Sequence, residues 1–172
     1  MLYALHVRGG HENRIMLDCK KKISEEILKD IFTPFKEERY KADGKWINKK
    51  KVLFSGYIFV DTDNIIEFYY ELNKISEYKK LVSSDKEPVP LSDEDIFLLS
   101  RFLNKDKIME MSVGKIIGKR TIITVGPLVG LEGLITKIDR HKRKAWIETD
   151  MFGRKQKIQV GLEIVEKIEE EN

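Results

Sequence analysis

Apolar positions in the first third of the chain follow two different spacings. Residues 2–7 alternate between apolar and polar and are followed by two glycines, which predicts a first strand. Residues 11–23 carry apolar side chains at helical spacing, with three lysines near the end, which predicts an amphipathic helix. The apolar run 52–60, rich in β-branched and aromatic residues, predicts the strongest strand of the protein, buried on both faces.

A hairpin is predicted between the first helix and that apolar run. Residues 31–40 contain apolar and aromatic side chains, and Pro34 limits this strand to an edge or an irregular start. Asp43 and Gly44 form a dipeptide typical of a two-residue turn between antiparallel strands.

The apolar pattern between residues 63 and 105 completes an α+β arrangement. Residues 63–74 predict a second helix, and residues 78–82 predict a short strand. After two prolines, Ser92 can cap a third helix that runs to about Asn104, because the three acids that follow suit a first turn. The resulting order, β-α-β-β-α-β-α, predicts a sheet layered with helices.

A glycine-rich segment, 125–135, predicts two short strands joined by a tight turn. Gly126, Gly130 and Gly133 lie where a positive φ or a close backbone approach is expected. Residues 136–147 then alternate on both sides of a basic turn.

The spacing of apolar positions from residue 119 onward stays close to two, with glycines between the runs. This pattern predicts a five-stranded barrel of about 50 residues. Residues 105–118 carry few large apolar side chains and two glycines, and we expect them to form a linker with room for one short strand.

The charge of the chain is concentrated in this predicted barrel. The full sequence has 172 residues and a formal net charge of +3. Residues 119–160 contain ten lysines and arginines against four acids, whereas residues 161–172 contain five acids and one lysine. A small barrel with a cationic tip is typical of a binding module, and a phosphate backbone is its natural partner.

Several classes of protein are disfavoured by what the sequence contains. The single cysteine, Cys19, excludes an internal disulfide framework, and its place on an amphipathic helix favours a buried structural thiol. The three histidines lack metal-site spacing, and we find no fingerprint of a nucleotide-binding or hydrolase site. We therefore expect no enzymatic activity, no metal and no cofactor. The start of the chain lacks signal-peptide features and no apolar run is long enough to span a membrane, which favours a cytoplasmic chain without membrane contact.

Two sets of residues resemble a known family. The C-terminal set is similar to the KOW domain of the NusG family and comprises Gly118, Gly126-Pro127-Leu128, Leu131-Glu132-Gly133, Ile138-Asp139 and Met151-Phe152-Gly153-Arg154. The N-terminal set is similar to that family's NGN domain and comprises residues 2–7, Gly10-His11-Glu12 and residues 53–60. The resemblance implies an α+β fold, with an NGN-like antiparallel sheet and helices over 1–106, a linker over 107–118 and an SH3-like five-stranded barrel over 119–172.

The resemblance implies a transcription elongation factor. In that family the N-terminal domain docks on the clamp helices of RNA polymerase, and the barrel reaches RNA, a ribosomal protein or a termination factor. Three features differ from the housekeeping pattern: Ser55 in place of proline, Lys119 in place of an acid, and a dense basic cluster over Arg140–Lys144. They resemble a specialised paralogue, and the LoaP type of processive antiterminator is the most similar form. We expect a monomer that binds polymerase and a structured element of nascent RNA.

The resemblance also implies site residues. For polymerase binding we expect an exposed aromatic patch on adjacent strands, with the alternative that these are ordinary core residues; its members are Tyr3, Phe54, Tyr57 and Phe59. For nucleic acid we expect ten residues of the barrel, with the alternative of a solvated surface; they are Lys119, Arg120, Arg140, His141, Lys142, Arg143, Lys144, Arg154, Lys155 and Lys157. Trp146 and Phe152 are candidate stacking groups for an unpaired base.

A second basic region and two other functions remain open from the sequence. Arg8, His11 and Arg14, together with the hairpin lysines 49–51, are candidates for contact with upstream or non-template DNA or RNA, with a solvated face as the alternative. One alternative function is a housekeeping elongation factor whose barrel binds a ribosomal or termination protein through Phe152 and Arg154. The other is a ribosome-associated structural protein, which the long N-terminal α+β part disfavours.

Overall fold

The structure, a computed structural model, describes residues 1–75 and 88–170. The strand predicted over 78–82 lies outside these residues. The elements in chain order are β1 (Leu2–His6), α1 (Glu12–Lys22), β2 (Asp30–Phe32), β3 (Phe35–Ala42), β4 (Lys45–Val52), β5 (Tyr57–Asp61), α2 (Ile65–Lys74), β6 (Val89–Pro90), α3 (Asp93–Phe102), β7 (Ile108–Met109), β8 (Ser112–Ile117), β9 (Arg120–Val125), a 3₁₀ turn (Glu132–Leu134), β10 (Ile135–Asp139), β11 (Lys144–Met151) and β12 (Arg154–Ile168).

The chain divides into two compact units. Unit 1 comprises Met1–Thr33 and Phe54–Ile96, and unit 2 comprises Pro34–Leu53 and Phe97–Asn172. Unit 2 therefore includes the β3–β4 hairpin, which the sequence placed with the N-terminal domain. The predicted α+β class, with an antiparallel sheet followed by a five-stranded β-rich part, is confirmed. Among the described residues, no helix is both long and apolar enough to cross a membrane.

Unit 1 is built on a four-stranded antiparallel sheet in the order β2-β5-β1-β6. Side chains alternate between the two faces of a strand. Leu5 of β1 and Val7, which directly follows β1, therefore lie on the same face as Ile58 and Val60 of β5. These side chains share a buried core with the apolar faces of the helices, including Ile15, Cys19, Phe68 and Leu72. The amphipathic spacing that predicted α1 and α2 is therefore what buries them.

Side-chain hydrogen bonds cap the first turns of two helices, and one of these caps was predicted. The Ser92 hydroxyl accepts from the Asp95 N–H at 3.1 Å, and the Asp95 carboxylate accepts from the Ser92 N–H at the same distance. This reciprocal pair confirms the predicted cap of α3. The Asn64 side chain accepts from the Glu67 N–H at 3.0 Å and starts α2 in a similar way.

The strand predicted over 52–60 is shorter than expected. β4 ends at Val52 and β5 begins at Tyr57, because the chain turns at Gly56, where φ is +82°. The Val7 N–H donates to the Gly56 carbonyl at 2.8 Å and holds this turn against β1. Residues 57–60 are buried, as predicted for the strand.

Unit 2 contains a three-stranded sheet in the order β4-β3-β7. The β3–β4 hairpin turns at Asp43 and Gly44, whose φ values of 50° and 75° are those of a type I′ turn. This confirms the predicted hairpin. β7 pairs in parallel with the start of β3.

The second sheet of unit 2 has five strands in the order β10-β11-β12-β8-β9. β12 pairs with β11 in antiparallel fashion along its first half and with β8 in parallel along its second half, with a register shift between Ile164 and Glu166. The segment 107–118, expected to be a linker with room for one short strand, contains β7 and β8, and β8 is part of this sheet. Gly114, which interrupted the apolar pattern, is required there because a Cβ would lie 2.6 Å from the Ile122 carbonyl oxygen.

The glycine-rich segment does not form two strands joined by a tight turn. β9 ends at Val125, and the chain passes through turns and the 3₁₀ turn before β10 begins at Ile135. Gly126 and Gly130 have φ of +104° and +77°, as predicted, but Gly133 has neither a positive φ nor a neighbour within 4 Å of an added Cβ. The segment closes the end of the sheet rather than extending it, since the Leu128 N–H donates to the Ser112 hydroxyl at 3.1 Å.

We expect Gly161→Ala to lower the free energy of unfolding of unit 2 by about 1–3 kcal/mol, the usual cost of overpacking. A Cβ at Gly161 would lie 2.0 Å from Met111 Sδ and 2.7 Å from the Glu37 carbonyl oxygen. Urea unfolding followed by tryptophan fluorescence measures this, because both tryptophans belong to unit 2.

Gly133→Ala is the matched control and should leave the unfolding midpoint within error, because its Cβ meets nothing within 4 Å. Equal midpoints for the two variants would show that β12 and β3 do not need this close approach.

Candidate nucleic-acid and polymerase interfaces

Four aromatic side chains form a layer on the face of the unit 1 sheet opposite α1 and α2. Phe59 stacks on Phe32 with ring centroids 5.5 Å apart, and Phe54 and Phe59 pack edge to face with centroids 5.9 Å apart. Tyr57 lies on the same face and packs edge to face with His6, with centroids 5.1 Å apart. We call Phe32, Phe54, Tyr57 and Phe59 the aromatic layer.

The aromatic layer differs from the exposed patch expected from the sequence. Phe54, Tyr57 and Phe59 are 2%, 7% and 0% exposed, so they are buried. Tyr3 does not belong with them, because it pairs with Val60 and so lies on the helix-facing side of the sheet. The sequence predicted the shared face of Tyr57 and Phe59 correctly, but it missed Phe32, which is half-buried beside Phe59. A role in polymerase binding stays a prediction.

A buried carboxylate shapes the loop region that carries Arg8, His11 and Arg14. Glu12 is buried at the start of α1 and accepts from the Gly10 N–H at 2.9 Å and from the Gly56 N–H at 2.7 Å. Arg8 and Arg14 are exposed, and His11 is half-buried. Glu12 therefore fixes the backbone around these three residues, and their contact with nucleic acid stays a prediction.

The predicted basic turn joins β10 to β11. The Lys142 N–H donates to Asp139 Oδ1 at 3.0 Å, and Arg143 has a φ of 54°. Arg140, His141 and Lys142 are exposed. We call these three residues the exposed turn.

Arg143 and Lys144 are directed into unit 2 rather than outward. The Arg143 guanidinium lies 3.9 Å from the Trp46 ring centroid and 3.7 Å from Glu163 Oε1. Lys144 Nζ lies 4.0 Å from Glu38 Oε2. The sequence predicted five basic or titratable groups projecting together, and this is wrong for these two. Trp46 and Glu38 gave no local signal, because they are about 100 residues away in the chain.

The other five predicted basic residues of the barrel lie at two places, near the start of β12 and around the β8–β9 turn. Arg154, Lys155 and Lys157 follow the turn at the far end of β11, and the last two lie 3.9 and 3.8 Å from Glu148. Lys119 lies in the β8–β9 turn and Arg120 begins β9, both beside the acidic residues Glu169 and Glu170. The ten predicted residues therefore form separate groups, and each of the groups outside the exposed turn has acidic neighbours.

The two candidate stacking groups of the barrel have different surroundings. Phe152 is buried, with a φ of 57° in the β11–β12 turn. Trp146 is half-buried, and Lys137 Nζ lies 4.8 Å from its ring centroid. Burial makes Phe152 unsuitable for stacking on a base or for direct contact with a partner protein.

A buried ion cluster joins the hairpin to the barrel. Glu38 of β3 is 3% exposed, and its carboxylate lies 3.0 Å from Lys36 Nζ, 3.5 Å from Lys51 Nζ and 4.0 Å from Lys144 Nζ. Lys36 Nζ also donates to the Gln159 carbonyl oxygen of β12. Burial alone would raise the pKa of Glu38, but the hydrogen bond and charge of Lys36, with the charges of Lys144 and Lys51, lower that pKa on balance. Glu38 is therefore ionised at neutral pH.

More than half of the chain matches the model of a known protein family. The model of the NusG family, described as transcription termination factor nusG, matches residues 2–100. The chain belongs to the NusG family. The match covers more than half of the chain, and it confirms the family indicated by the sequence resemblance.

Relatives and a solved structure extend this likeness over nearly the whole chain. The transcription termination/antitermination proteins NusG of Staphylococcus carnosus (strain TM300) and Staphylococcus aureus (strain Mu50 / ATCC 700699) are each 27% identical over 175 residues, covering 96% of this chain and 94% of theirs. A solved structure of domain interaction in Thermotoga maritima NusG matches with a TM-score of 0.51 and 21% identity, covering 93% of this chain and 92% of that one. The two-part fold is thus shared along the length of the chain. Among the described residues, no group of three or more His, Cys, Asp or Glu side chains could hold a metal ion.

We expect Glu38→Gln to lower the free energy of unfolding by roughly 2–3 kcal/mol at neutral pH, because it leaves the buried Lys36 without its carboxylate. The substitution should also reduce the loss in the free energy of unfolding that occurs as the pH falls into the acid range. The pKa of Glu38 is lower in the folded than in the unfolded chain, so its contribution is full above the ordinary glutamate pKa of about 4.3 and is lost as the pH falls through the folded value. Urea unfolding between about pH 7 and pH 3 measures both effects.

Glu37→Gln is the control, since alternation places Glu37 on the opposite side of the same strand. A Glu38→Gln protein with the wild-type midpoint and acid slope would contradict the assigned role of this cluster.

Proposed function

We propose that this protein is a transcription termination/antitermination factor that acts as a processive antiterminator. Unit 1 binds RNA polymerase and unit 2 binds nascent RNA. Membership of the NusG family and the likeness to named termination/antitermination proteins support the general role. The exposed turn, a cationic group in a module of net positive charge, supports the RNA contact.

For polymerase binding we propose Phe32, the half-buried ring at the margin of the aromatic layer of unit 1, at the clamp helices, with the buried rings of Phe54, Tyr57 and Phe59 supporting it. Aromatic side chains are the usual anchors of protein interfaces, and Phe32 and His6 are half-buried at the margin of this layer. A factor that bridges the polymerase cleft there opposes the opening motions that accompany pausing and termination. Arg8, His11 and Arg14 are proposed to lie toward the upstream or non-template strand.

For RNA binding we propose the exposed turn. Each phosphate that it neutralises releases counterions, so affinity comes without sequence reading and falls with salt. A factor already bound to polymerase holds this turn near the emerging transcript at a high effective concentration, so a few phosphate contacts suffice.

The specialised, LoaP-like character is proposed on two exposed features. Lys119 and the exposed turn add positive charge where the housekeeping pattern has less. The buried position of Phe152 weakens the alternative in which Phe152 and Arg154 hold a ribosomal or termination protein.

We expect the double substitution Arg140→Ala, Lys142→Ala to weaken RNA binding about tenfold and to reduce the salt slope by roughly 1–2, because two phosphate contacts are lost. A gel-shift titration with a structured RNA at several salt concentrations measures both quantities.

The pair Lys155→Ala, Lys157→Ala removes the same charge from residues that lie beside Glu148 and should stay within about twofold of wild type. Equal losses for the two pairs would mean that net charge, not the turn, carries the affinity. Recovery of protein partners that resists RNase would favour the housekeeping alternative.

We expect Phe32→Ala to weaken association with RNA polymerase about tenfold, because it removes a half-buried ring from the margin of the aromatic layer. Fluorescence anisotropy of labelled protein titrated with purified polymerase measures the affinity, and thermal melting checks the fold.

Tyr70→Ala is the matched control, since Tyr70 is an exposed aromatic residue on α2. If Phe32→Ala does not fold, Phe32→Leu keeps the apolar volume and removes the ring. A folded Phe32 variant that binds polymerase like wild type would rule out this part of the layer as the docking site.

A further inference from the structure

The basic turn forms one wall of a groove whose other wall is the β3–β4 hairpin. Both walls belong to unit 2. The groove has a volume of about 330 Å³ and is lined by Arg39, Tyr40, Lys41 and Trp46 of the hairpin and by His141, Lys142 and Lys144 of the turn and β11. We call it the hairpin groove.

The lining of the hairpin groove combines positive charge with aromatic rings. Four of its seven side chains are lysine or arginine, one is histidine and two are aromatic. Within residues 1–75 and 88–170, no acidic side chain is part of this lining. The acids nearest its cations are engaged from outside it: Glu163 lies 3.5 Å from Arg39, and Glu38 lies 4.0 Å from Lys144.

The two aromatic rings are presented differently. Tyr40 is 43% exposed, with Lys49 Nζ 5.5 Å from its ring centroid. Trp46 is half-buried, and the Arg143 guanidinium lies 3.9 Å from its ring centroid and fixes its position. The lining of the groove therefore includes one exposed ring and one half-buried ring in contact with the barrel.

We propose that the hairpin groove binds unpaired nucleotides of a nucleic-acid strand. Lys41 and Lys142, both exposed, contact the phosphates, and a base stacks on Tyr40. An acidic peptide would need only the positive charges of the groove, whereas a nucleotide also uses the aromatic rings. The presence of both therefore favours a nucleotide as the ligand. The volume admits a base and its phosphate but not a duplex.

This inference rests on the proposed function and makes it more specific. The exposed turn alone would hold any phosphate backbone, paired or unpaired. With the hairpin as a second wall, the same turn selects a loop, bulge or single strand, because only an unpaired base can leave its own stack and reach the ring.

The test is a set of affinities measured on the full chain. The probes are a fluorescein-labelled single-stranded RNA, the same sequence as DNA, the RNA as a duplex, and polyglutamate. We expect Tyr40→Ala and Lys41→Ala each to weaken binding of the single strand roughly tenfold, and Tyr40→Phe to restore it, because the ring is what stacks. Tighter binding of RNA than of DNA identifies the transcript as the source of the strand, and the reverse identifies the displaced DNA.

Two neighbours on β4 provide controls. Ile47 is the cross-strand partner of Tyr40 and is 41% exposed, and Lys45 is an exposed lysine beside the hairpin turn; neither lines the groove. Ile47→Ala and Lys45→Ala should bind within about twofold of wild type.

Tryptophan fluorescence gives a direct signal from the groove. In a Trp146→Phe protein the sole tryptophan is Trp46, and saturating single-stranded nucleic acid should quench its emission, whereas polyglutamate should not. Wild-type affinity of Tyr40→Ala for the single strand, equal affinity for the duplex, or the same Tyr40 dependence with polyglutamate would overturn the proposal.

The same data separate this proposal from the broader one. If Arg140→Ala, Lys142→Ala weakens RNA binding while Tyr40→Ala does not, the RNA-binding role stands and the hairpin groove is wrong. If no nucleic acid binds to the wild-type chain, both fail.

Discussion

The organisation of unit 2 depends on one buried carboxylate. Glu38 lies in the hairpin, and the lysines around it come from the hairpin and from the first residue of β11. A buried charge is costly unless it is paired. Lys36 and Lys51 pair with Glu38 within the hairpin, and Lys144 adds a contact from the barrel that favours the two parts together. Arg143, held between Trp46 and Glu163, adds a second link at the same place. Two of the basic residues beside the exposed turn are therefore structural.

The link explains how binding residues from distant parts of the chain form one surface. With Lys144 and Arg143 directed inward, the turn that precedes them is held beside the hairpin, and its residues His141 and Lys142 line a groove together with Tyr40 and Lys41. The aromatic layer of unit 1 is built on a different principle, since its rings pack on each other and on a sheet. One surface is thus organised by charge and the other by apolar packing.

The elements that the sequence predicted well are those fixed by local chemistry. The Asp43-Gly44 turn, the Ser92 cap and the two amphipathic helices each depend on residues within a few positions of one another. Errors arose where distant residues decide. The sequence pattern predicted an interruption at Gly114, because local spacing does not show that Ile122 of β9 lies against it. Arg143 was predicted to be exposed, because local spacing does not show that Trp46 contacts it. The predicted aromatic patch omitted Phe32 for the same reason, because the spacing of residues along one strand does not show which strands are neighbours in the sheet.

The division of β12 between two partner strands limits where this protein can be cut. A fragment that starts at residue 119 would lack β8, leaving half of β12 without its parallel neighbour. It would also lack the hairpin and with it Glu38, the partner of Lys144. Such a fragment would present an open strand edge to other molecules and would be prone to aggregate.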